Sequence, residues 1–523
     1  MKSLLTLRNA SLVFVLIFSV WALWPRKSTD AKAPKVGREC TNPARYKYVI
    51  KVAPGFYLPG LMPMNVGKPL QGLNIVAEDF EKLYPDTFIE FVGVPGVREW
   101  LVTQLSAGQA PDILNVNVED VWQDTQKGWY VALDPYLEAP NPFIEKGQPG
   151  SVQWWDVFKY QAISRGKAAP DGKMYCISTD MVETGFFYNK DIFRKLSLEP
   201  PKDWIEFLAL QQKLKDAGFI PMLAYVGNIV DWGVDLTFDQ FYAEILPGVD
   251  IIKDPIREQY LDGYFDWDEI AFLRSKGFFT KNDPRYVAHW QVLKDWRKYF
   301  NKDISSADMM KLFVTQKGAM LWDGSWTVNK LARDPDLDFE WGVFYPPPMT
   351  REFHPLCCGI EQCVIGGSAV QLTVTNSAFK DTGNQETSER LKRVMAFLQF
   401  LHTPKNIDIV VNECMAFLPN VKGVEPHKEL LPFDEILARR YTTTKWTYTF
   451  DMNFNEIMYR MLDLYLNDGI SLEEYLDWMQ KDLDMAIDTI VRRKKIDFAP
   501  FEKRWQELAP ARAGMKALPP DAR

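Results

Sequence analysis

The sequence of 523 residues lacks the short motifs by which several enzyme classes are recognised. It contains no His-Glu-x-x-His, no Gly-x-Ser-x-Gly, no phosphate-cradling Gly-Lys-Ser/Thr and no Gly-x-Gly-x-x-Gly. The sequence therefore gives no specific catalytic signal. Asp and Glu are numerous, so a secreted enzyme that cleaves carbohydrate with two paired carboxylates remains an alternative.

Clustered basic residues and internal repeats are also absent. The formal net charge is −8 and the isoelectric point is about 5.4, whereas binding to nucleic-acid phosphates depends on clustered Lys and Arg. We therefore expect no nucleic-acid partner. With 47% apolar and 25% charged residues the composition is that of a globular protein, and the length predicts two to four domains or lobes.

Beyond the N-terminus, no apolar run is long enough to span a bilayer. Near it, Lys2 and Arg8 precede the uncharged run Ser11–Trp24. Fourteen residues of helix measure about 21 Å, which is less than the roughly 30 Å of the hydrocarbon core. We therefore predict a signal peptide or an uncleaved signal anchor at 1–31 and a linker at 32–44. The protein is expected in the periplasm or at the outer face of the cytoplasmic membrane, which it would contact only through this segment.

Export makes the cysteines candidates for disulfides. The six are Cys40, Cys176, Cys357, Cys358, Cys363 and Cys414. Six cysteines allow fifteen pairings, and buried thiols are the alternative. The stretch from Cys357 to Cys363 lacks Cys-x2-Cys spacing and has only His354 nearby, so it does not predict a metal site. We expect neither a metal nor another cofactor.

Strands and helices alternate in the segment that follows the linker. The apolar periodicity predicts strands at Tyr46–Val52, Thr87–Val92 and Asp112–Val116, separated by helices at Leu70–Leu83 and Val97–Ala107. In the first helix we expect Ile75, Phe80 and Leu83 to form the buried face. This alternation implies parallel strands joined by right-handed helical crossovers, and hence an α/β fold.

Later segments continue the mixed pattern. Strands are predicted at Thr179–Tyr188, Lys317–Trp322 and Ala369–Val374, and helices at Ser388–Leu401 and over much of 455–492. Asp203 and Glu206 form a capping box that opens another helix, and Asn189 is expected to cap the helix at Asp191. The stiff run Pro346–Pro348 suits a crossover between lobes.

Several short motifs occur together in one order. They are Ala110-Pro-Asp-Ile113, Tyr188-Asn-Lys190, Pro200-Pro-Lys-Asp-Trp204, Asp323-Gly-Ser-Trp326, Pro346–Pro348, Gly366-Gly367 and Ala396-Phe-Leu-Gln-Phe-Leu-His-Thr-Pro404. With this combination, over about 45–490, the chain closely resembles the bacterial extracellular solute-binding proteins, in particular the ABC-transporter sugar-binding group that includes maltose-binding protein. Extra length near 240–300 and the cysteines at 357–363 depart from the family pattern.

The resemblance implies an α/β, two-lobed periplasmic-binding-protein fold (type II-like) with hinge crossover strands. It places 45–176 and 350–405 in lobe 1, 177–345 and 415–510 in lobe 2, and leaves 511–523 as a C-terminal tail. Such a monomer would capture a carbohydrate, with an oligosaccharide favoured, between its lobes and deliver it to ABC permease subunits whose ATPase lies on other chains. A sensing protein without transport is a further alternative.

Sugars suit clefts in which aromatic rings stack on C–H faces while carboxylates and amides bind the hydroxyl rim. Trp326 is the first choice, because the family places an aromatic platform after the Gly-Ser turn; core packing is its alternative role. The other expected ligand contacts are Phe56, Tyr57, Asn115, Asn117, Glu119, Asp180, Glu183, Tyr225, Asp231, Trp232 and Asp323. Turn formation is the alternative for Asp323, and a solvated loop for the residues at 115–119.

Overall fold

The computed structural model describes residues 36–159, 169, 171–251, 264–265, 267–363, 365–437, 441–442, 445–446, 452–515 and 518–522. From Gly37 onward these residues belong to one structural unit. The predicted signal segment 1–31 and the first part of the linker lie outside the described residues. Within the described ranges, none of the helices is both long enough and apolar enough to cross a membrane.

Helices and strands alternate along the described chain. The strands are β1 (Tyr48–Ala53), β2 (Thr87–Phe91), β3 (Ile113–Asn115), β4 (Cys176–Ser178), β5 (Asp180–Asn189), β6 (Ile220–Leu223), β7 (Tyr264–Phe265), β8 (Gly318–Gly324), β9 (Trp341–Phe344), β10 (Gln362–Cys363), β11 (Ile365–Gly367), β12 (Gln371–Val374), β13 (Leu418–Pro419), β14 (Tyr441–Thr442) and β15 (Lys445–Trp446).

The helices are likewise numbered in chain order. They are α1 (Gly72–Leu83), α2 (Arg98–Ser106), α3 (Val118–Trp122), α4 (Asp134–Leu137), α5 (Lys190–Leu196), α6 (Trp204–Asp216), α7 (Val226–Asn228), α8 (Val234–Tyr242), α9 (Leu246–Val249), α10 (Trp267–Ser275), α11 (Pro284–Arg297), α12 (Met309–Val314), α13 (Thr327–Leu331), α14 (Glu389–Leu401), α15 (Pro404–Cys414), α16 (Leu431–Leu437), α17 (Met452–Leu466), α18 (Leu472–Lys494), α19 (Ala499–Glu507) and α20 (Ala509–Ala513). A π-helical turn, Ile229–Gly233, joins α7 to α8.

Five strands form the sheet of the first lobe, in the order β2-β1-β3-β12-β4. β1 is parallel to β2 and β3, whereas β12 is antiparallel to β3 and β4. Along β1, Ile50 and Val52 are buried while Lys51 between them is exposed, as the two-residue period of a strand requires. Ile50 shares a core with Phe80 of α1 and Phe397 of α14. The α/β arrangement that the sequence predicts is confirmed here.

Helix α1 buries a different face from the one predicted. Phe80 is buried, but Ile75 and Leu83 are 48% and 56% exposed. The buried residues of this helix are Gly72, Leu73, Val76, Ala77 and Phe80. Leu73, Val76 and Phe80 follow the three- and four-residue spacing of one helical face, which the predicted set does not. The prediction of Ile75 and Leu83 as core residues was therefore wrong.

The second lobe contains a sheet ordered β11-β5-β8-β6, with β9 and β13 also paired to β5. β5 is antiparallel to β8, and β6 is parallel to β8. Phe186 of β5 belongs to one hydrophobic core and the next residue, Phe187, to a separate one. Because β5 is covered on both faces, nearly every residue of Asp180–Asn189 is buried.

Three short passages join the two sheets. β4 leads through Thr179 directly into β5, β11 leads into β12, and α15 leads into β13, which pairs with β5. The second passage lies between Gly367 and Gln371, later in the chain than the Pro346–Pro348 run and the boundary expected near 350. The reason is that the intervening segment packs on the second lobe: the Cys358 N–H donates to the Gln240 carbonyl at 3.0 Å.

The C-terminal helices complete the second lobe. α18 begins with a capping box in which Ser471 and Glu474 satisfy each other's backbone N–H groups. Within the predicted C-terminal tail, Leu518 and Ala522 are buried in the same core as α18. The Arg512 guanidinium lies 3.4 Å from the centre of the Trp505 ring and donates to the Gly248 carbonyl.

Four of the six cysteines, Cys40, Cys357, Cys358 and Cys414, carry free thiols. The expected disulfides do not involve these four. Burial raises the pKa of Cys357 and of Cys414 to about 12, because the thiolate is disfavoured in apolar surroundings. Cys357 and Cys414 are therefore buried thiols, which is the alternative to disulfides that the sequence left open. The side chain of Cys363 lies outside the described residues.

Candidate ligand-binding site

A cleft of about 430 Å³ opens at the edge of the first sheet where its parallel strands end. Its lining includes Ala53 at the end of β1, Val92 just after β2, and Leu114 with Asn115 in β3. Ligands of α/β proteins bind at the carboxyl ends of parallel strands. We call this cleft the strand-end pocket. It brings together three of the predicted site residues, Phe56, Asn115 and Asn117.

The polar groups predicted at this edge differ in how they are held. The Asn115 Oδ1 accepts from the Gln371 N–H at 2.9 Å, so strand β12 fixes this side chain. Gly55, with φ of 58°, lies directly over it: a Cβ at this position would come within 2.4 Å of the Asn115 Nδ2. Asn117 precedes α3, is exposed and does not cap that helix through its side chain. The side chain of Glu119 lies outside the described residues.

The pocket also contains residues that the sequence reasoning missed. Trp100 and Arg98 of α2 and Asp120 of α3 line it beside Phe56. Phe56 is 43% exposed, and its ring centre lies 5.8 Å from that of Phe417. Arg98 and Trp100 could have been predicted from the sequence by their position soon after β2. The strand-end argument that selected Asn115 applies equally to the loop and helix that follow β2.

A second group of aromatic side chains lies at the end of β8. The ring of Trp326 is centred 5.7 Å from that of Trp232, which in turn lies 6.2 Å from Trp322. Trp322 is buried, whereas Trp326 and Trp232 are half-buried. Trp326 follows a strand of the second sheet but packs against the core of the first lobe. The pair Trp232 and Trp326, here called the indole pair, therefore lies where the two lobes meet.

Asp323 is committed to the turn that presents Trp326. Its Oδ1 accepts from the Gly324 N–H at 2.8 Å, and its Oδ2 accepts from the Thr327 hydroxyl at 2.7 Å. Desolvation raises the pKa of Asp323, and the hydrogen bonds from Thr327, Gly324 and Trp326 oppose that rise. These contacts support the turn-forming alternative for Asp323 over ligand contact.

Asp231 and Tyr225 make their polar contacts within the second lobe. Asp231 is exposed, and its Oδ1 accepts from the Tyr459 hydroxyl of α17 at 3.1 Å. Tyr225 is 37% exposed, and its hydroxyl accepts from the Met309 N–H at 3.5 Å. Ligand contact through these two side chains stays a prediction.

Asp180, Tyr57 and Glu183 are buried where the chain passes between the sheets. Asp180 has no exposed surface, and its carboxylate accepts from the Tyr57 hydroxyl at 2.7 Å, the Ser368 hydroxyl at 2.8 Å and the Ala369 N–H at 2.8 Å. Glu183 is also fully buried, and its Oε1 accepts from the Thr184 N–H at 2.9 Å. Burial argues against ligand contact for these three residues. Asp180 instead links the loop after β1 to both of the first two passages.

Gly324 makes room for the Trp326 ring. A Cβ at this position would lie 2.2 Å from two carbons of the indole, so the ring would have to leave its place against Trp232. We expect Gly324→Ala to lower the free energy of unfolding by about 1–3 kcal/mol, because overpacking forces side chains off their preferred rotamers. Urea unfolding measures this change.

The matched control for Gly324→Ala is Gly227→Ala in the same lobe. A Cβ at Gly227 meets nothing within 4 Å, so this variant should unfold at nearly the urea concentration of the unmodified protein. Equal stability of the two variants would contradict the close packing of Trp326 on Gly324.

Comparison with known proteins assigns a family to most of the chain. The family model described as "Bacterial extracellular solute-binding protein" matches residues 67–407. The multiple sugar-binding protein of Streptococcus mutans is 21% identical over 277 residues, which are 53% of this chain and 59% of that protein. The chain thus matches less than two thirds of this relative's length.

Two further matches cover more of the chain. The sn-glycerol-3-phosphate-binding periplasmic protein of Brucella abortus is 21% identical over 450 residues, which are 80% of this chain and 89% of that protein. The structure of the apo form of RafE from Streptococcus pneumoniae has 17% identity and a TM-score of 0.57, and covers 85% of this chain and 98% of RafE. This likeness confirms the two-lobed α/β fold.

Proposed function

The chain belongs to the bacterial extracellular solute-binding proteins, and from this membership we propose that it captures a carbohydrate between its two lobes and delivers it to an ABC importer. The family consists of solute-binding proteins and is not a family of enzymes. The name of the Streptococcus mutans relative supports a sugar as the ligand. Delivery fits an extracellular family, because a protein outside the membrane needs a permease to move its solute inward.

The observation that carries the proposal is the composition of the strand-end pocket. Phe56 and Trp100 offer aromatic surface, while Asn115 and Asn117 offer amide groups beside it. A pyranose has apolar C–H faces and a rim of hydroxyls, so it needs both kinds of group in one cleft. The pocket combines them at the sheet edge where α/β proteins bind ligands.

The separation of the two aromatic groups favours an oligosaccharide. The indole pair is not part of the described lining of the strand-end pocket, although Trp326 packs against the first lobe. A ligand that contacts both Trp326 and Trp100 must therefore extend beyond the pocket. Such a ligand would touch both lobes and favour their closed arrangement through its differential affinity.

The proposal also includes the boundaries of the two lobes, the partners of the protein and the role of its N-terminal segment. We take lobe 1 as 45–178 with 371–414 and lobe 2 as 180–367 with 418–522, since the sheets exchange strands at these points. The ATPase would lie on other chains, and the protein would act as a monomer. Residues 1–31 would direct export, either as a cleaved signal peptide or as an anchor that holds the body at the outer face of the membrane.

Trp326→Ala tests the proposed function. With a panel of mono- and oligosaccharides, thermal shift should first identify a saccharide that stabilises the unmodified protein. Calorimetry with that saccharide should then show binding weakened about 30-fold in Trp326→Ala, or about 2 kcal/mol, the loss typical of an aromatic anchor at a binding site. The physical cause is the removal of the ring that lies between Trp232 and the first lobe.

Trp341→Ala is the matched control, because Trp341 is also half-buried in the second sheet but packs against Phe187, with ring centres 5.6 Å apart. It should leave the saccharide affinity within twofold. The proposal fails when no saccharide in the panel binds. Equal binding by Trp326→Ala and Trp341→Ala would refute the contact with Trp326. Release of cleavage products from a bound saccharide would instead support the enzyme alternative.

A further inference from the structure

The strand-end pocket contains an ion pair that leaves it electrically balanced. Arg98 and Asp120 are the charged side chains in its described lining, and the Arg98 Nη1 lies 3.1 Å from the Asp120 Oδ1. The two side chains are 33% and 29% exposed, so both remain within reach of a ligand. A pocket of this kind holds one positive and one negative group in contact with each other.

A second carboxylate engages the other end of the same guanidinium. The Arg98 Nη2 donates to the Asp124 Oδ2 at 2.8 Å, and the Asp124 side chain is only 2% exposed. The Asp124 Oδ1 in turn contacts the Lys127 Nζ at 2.8 Å. Arg98 is thus held between two carboxylates, and the group of four side chains carries no net charge.

This arrangement places a carboxylate at each terminal nitrogen of the guanidinium that would bind a phosphate. Arginine recognises phosphate by presenting two parallel N–H groups, and here both terminal nitrogens already donate to carboxylates. A phosphate would have to displace Asp120 or approach its negative charge, which repels an anion over this short distance. An uncharged hydroxyl meets no such penalty, and the Asp120 Oδ2, which makes no hydrogen bond within the described part of the chain, can accept from it.

We propose that Arg98 and Asp120, positioned by Asp124, restrict the pocket to uncharged polyols and exclude phosphorylated solutes. The proposal rests on the proposed function and narrows its ligand to neutral saccharides. It separates this chain from its Brucella abortus relative, whose name specifies sn-glycerol 3-phosphate. Arg98 and Asp120 would be specificity-determining residues of the first lobe.

Asp120→Asn is the decisive variant, because it removes one negative charge from the pocket and weakens the hold on Arg98. The probes are inorganic phosphate and sn-glycerol 3-phosphate, titrated by calorimetry at low ionic strength, where charge effects are largest. We expect no binding of either probe to the unmodified protein at millimolar concentration. Asp120→Asn should bind sn-glycerol 3-phosphate at a concentration at least tenfold below the highest one that leaves the unmodified protein unbound, and Arg98→Ala in the same background should abolish that gain.

Asp79→Asn is the matched control. Asp79 is 30% exposed in the same lobe and is paired with Lys82 and Lys405, so its removal changes the net charge equally but away from the pocket. It should gain no phosphate binding. An equal gain in Asp79→Asn and Asp120→Asn would overturn the proposal, because the effect would then come from net charge alone.

The outcomes also separate this proposal from the proposed function. Tight binding of sn-glycerol 3-phosphate to the unmodified protein, lost in Arg98→Ala, would overturn the charge exclusion even where a saccharide binds as well. Absence of saccharide binding, together with a phosphate gain confined to Asp120→Asn, would refute the carbohydrate function and support the exclusion of anions. Circular dichroism of each variant confirms that the compared proteins are folded.

Discussion

Replacing Arg390 by methionine is expected to lower the free energy of unfolding by about 3–5 kcal/mol, the typical cost of leaving one partner of a buried ion pair uncompensated. The Arg390 Nη2 lies 2.6 Å from the Asp112 Oδ2, and its Nε donates to the Asp112 Oδ1 at 3.1 Å. The two side chains are only 8% and 2% exposed. Loss of the guanidinium would leave the Asp112 carboxylate without its buried partner inside the first lobe.

The pair also connects backbone from different parts of the chain. The Asp112 Oδ2 accepts from the Lys51 N–H at 2.8 Å, and the Arg390 Nη2 donates to the Val49 carbonyl at 2.8 Å. Helix α14, which follows the return of the chain from the second lobe, is thereby fixed to β1 and to the start of β3. The buried pair stabilises lobe 1 by joining residues that are 278 positions apart in the sequence.

Arg393→Met provides the control on the same helix. Arg393 pairs with Asp86 at 2.5 Å, but these side chains are 18% and 42% exposed, and exposed pairs contribute about 0–1 kcal/mol. In urea unfolding followed by circular dichroism, Arg390→Met should lose several times more stability than Arg393→Met. Equal losses would contradict a special role for the buried pair.

The double variant Asp112→Asn with Arg390→Met should lose less free energy of unfolding than the sum of the losses in the two single variants, because the partners form one unit.

Much of the fold could be predicted because local patterns agree with it. The alternation of apolar strands and helices predicted the parallel part of the first sheet. At the start of α6 the Asp203 half of the predicted capping box forms, with the Glu206 N–H donating to the Asp203 Oδ1 at 2.9 Å, whereas the Glu206 Oε2 accepts from the Lys202 N–H and not from the N–H of Asp203. Asn189 caps α5 by accepting from the Asp191 and Ile192 N–H groups. These features depend on residues only a few positions apart, which is the range that sequence patterns describe.

The features of the fold and of the site that could not be predicted depend on contacts between residues far apart in the sequence. The Tyr57 hydroxyl reaches Asp180 across 123 positions, and no local pattern reveals that both side chains are buried there. The passage between the sheets after β11 lies beyond the proline run, because proline stiffness at 346–348 does not show which sheet the following segment joins. In the pocket, Asn115 and Phe56 could be predicted from the strand-end rule, whereas the pairing of Arg98 with Asp120 required the packing of α2 on α3.

Asp180 is expected to make stability fall as the pH rises from about 4 to about 6. Burial raises its pKa from 3.8 to about 6, while hydrogen bonds from Tyr57 and Ser368 oppose that rise. Between these values the folded protein keeps the proton and the unfolded chain releases it, so a higher pH favours unfolding. The stabilisation is complete below pH 4 and lost above pH 6. At about 1.4 kcal/mol per pKa unit, the loss is about 3 kcal/mol.

Asp180→Asn isolates this contribution, because asparagine keeps the shape and does not titrate. Urea unfolding of both proteins from pH 4 to pH 7 should show the variant gaining about 3 kcal/mol relative to the unmodified protein. Asp303→Asn is the control with the opposite sign: hydrogen bonds from Ser306 lower the pKa of this exposed carboxyl, so its contribution fades as the pH falls. A pH-independent difference for Asp180→Asn would refute the buried, titrating carboxyl.

Tyr57→Phe tests whether the hydrogen bond tunes that titration. The Tyr57 hydroxyl stabilises the ionised form of Asp180, so removing it should raise the pKa of Asp180 further and move the loss of stability above pH 6. A structural role of the Tyr57 ring alone would lower stability equally at every pH. Tyr57→Phe removes a hydrogen-bond donor of Asp180 and leaves the other carboxyls unchanged. A shift of the pH midpoint therefore identifies Asp180, at the first passage between the lobes, as the titrating group.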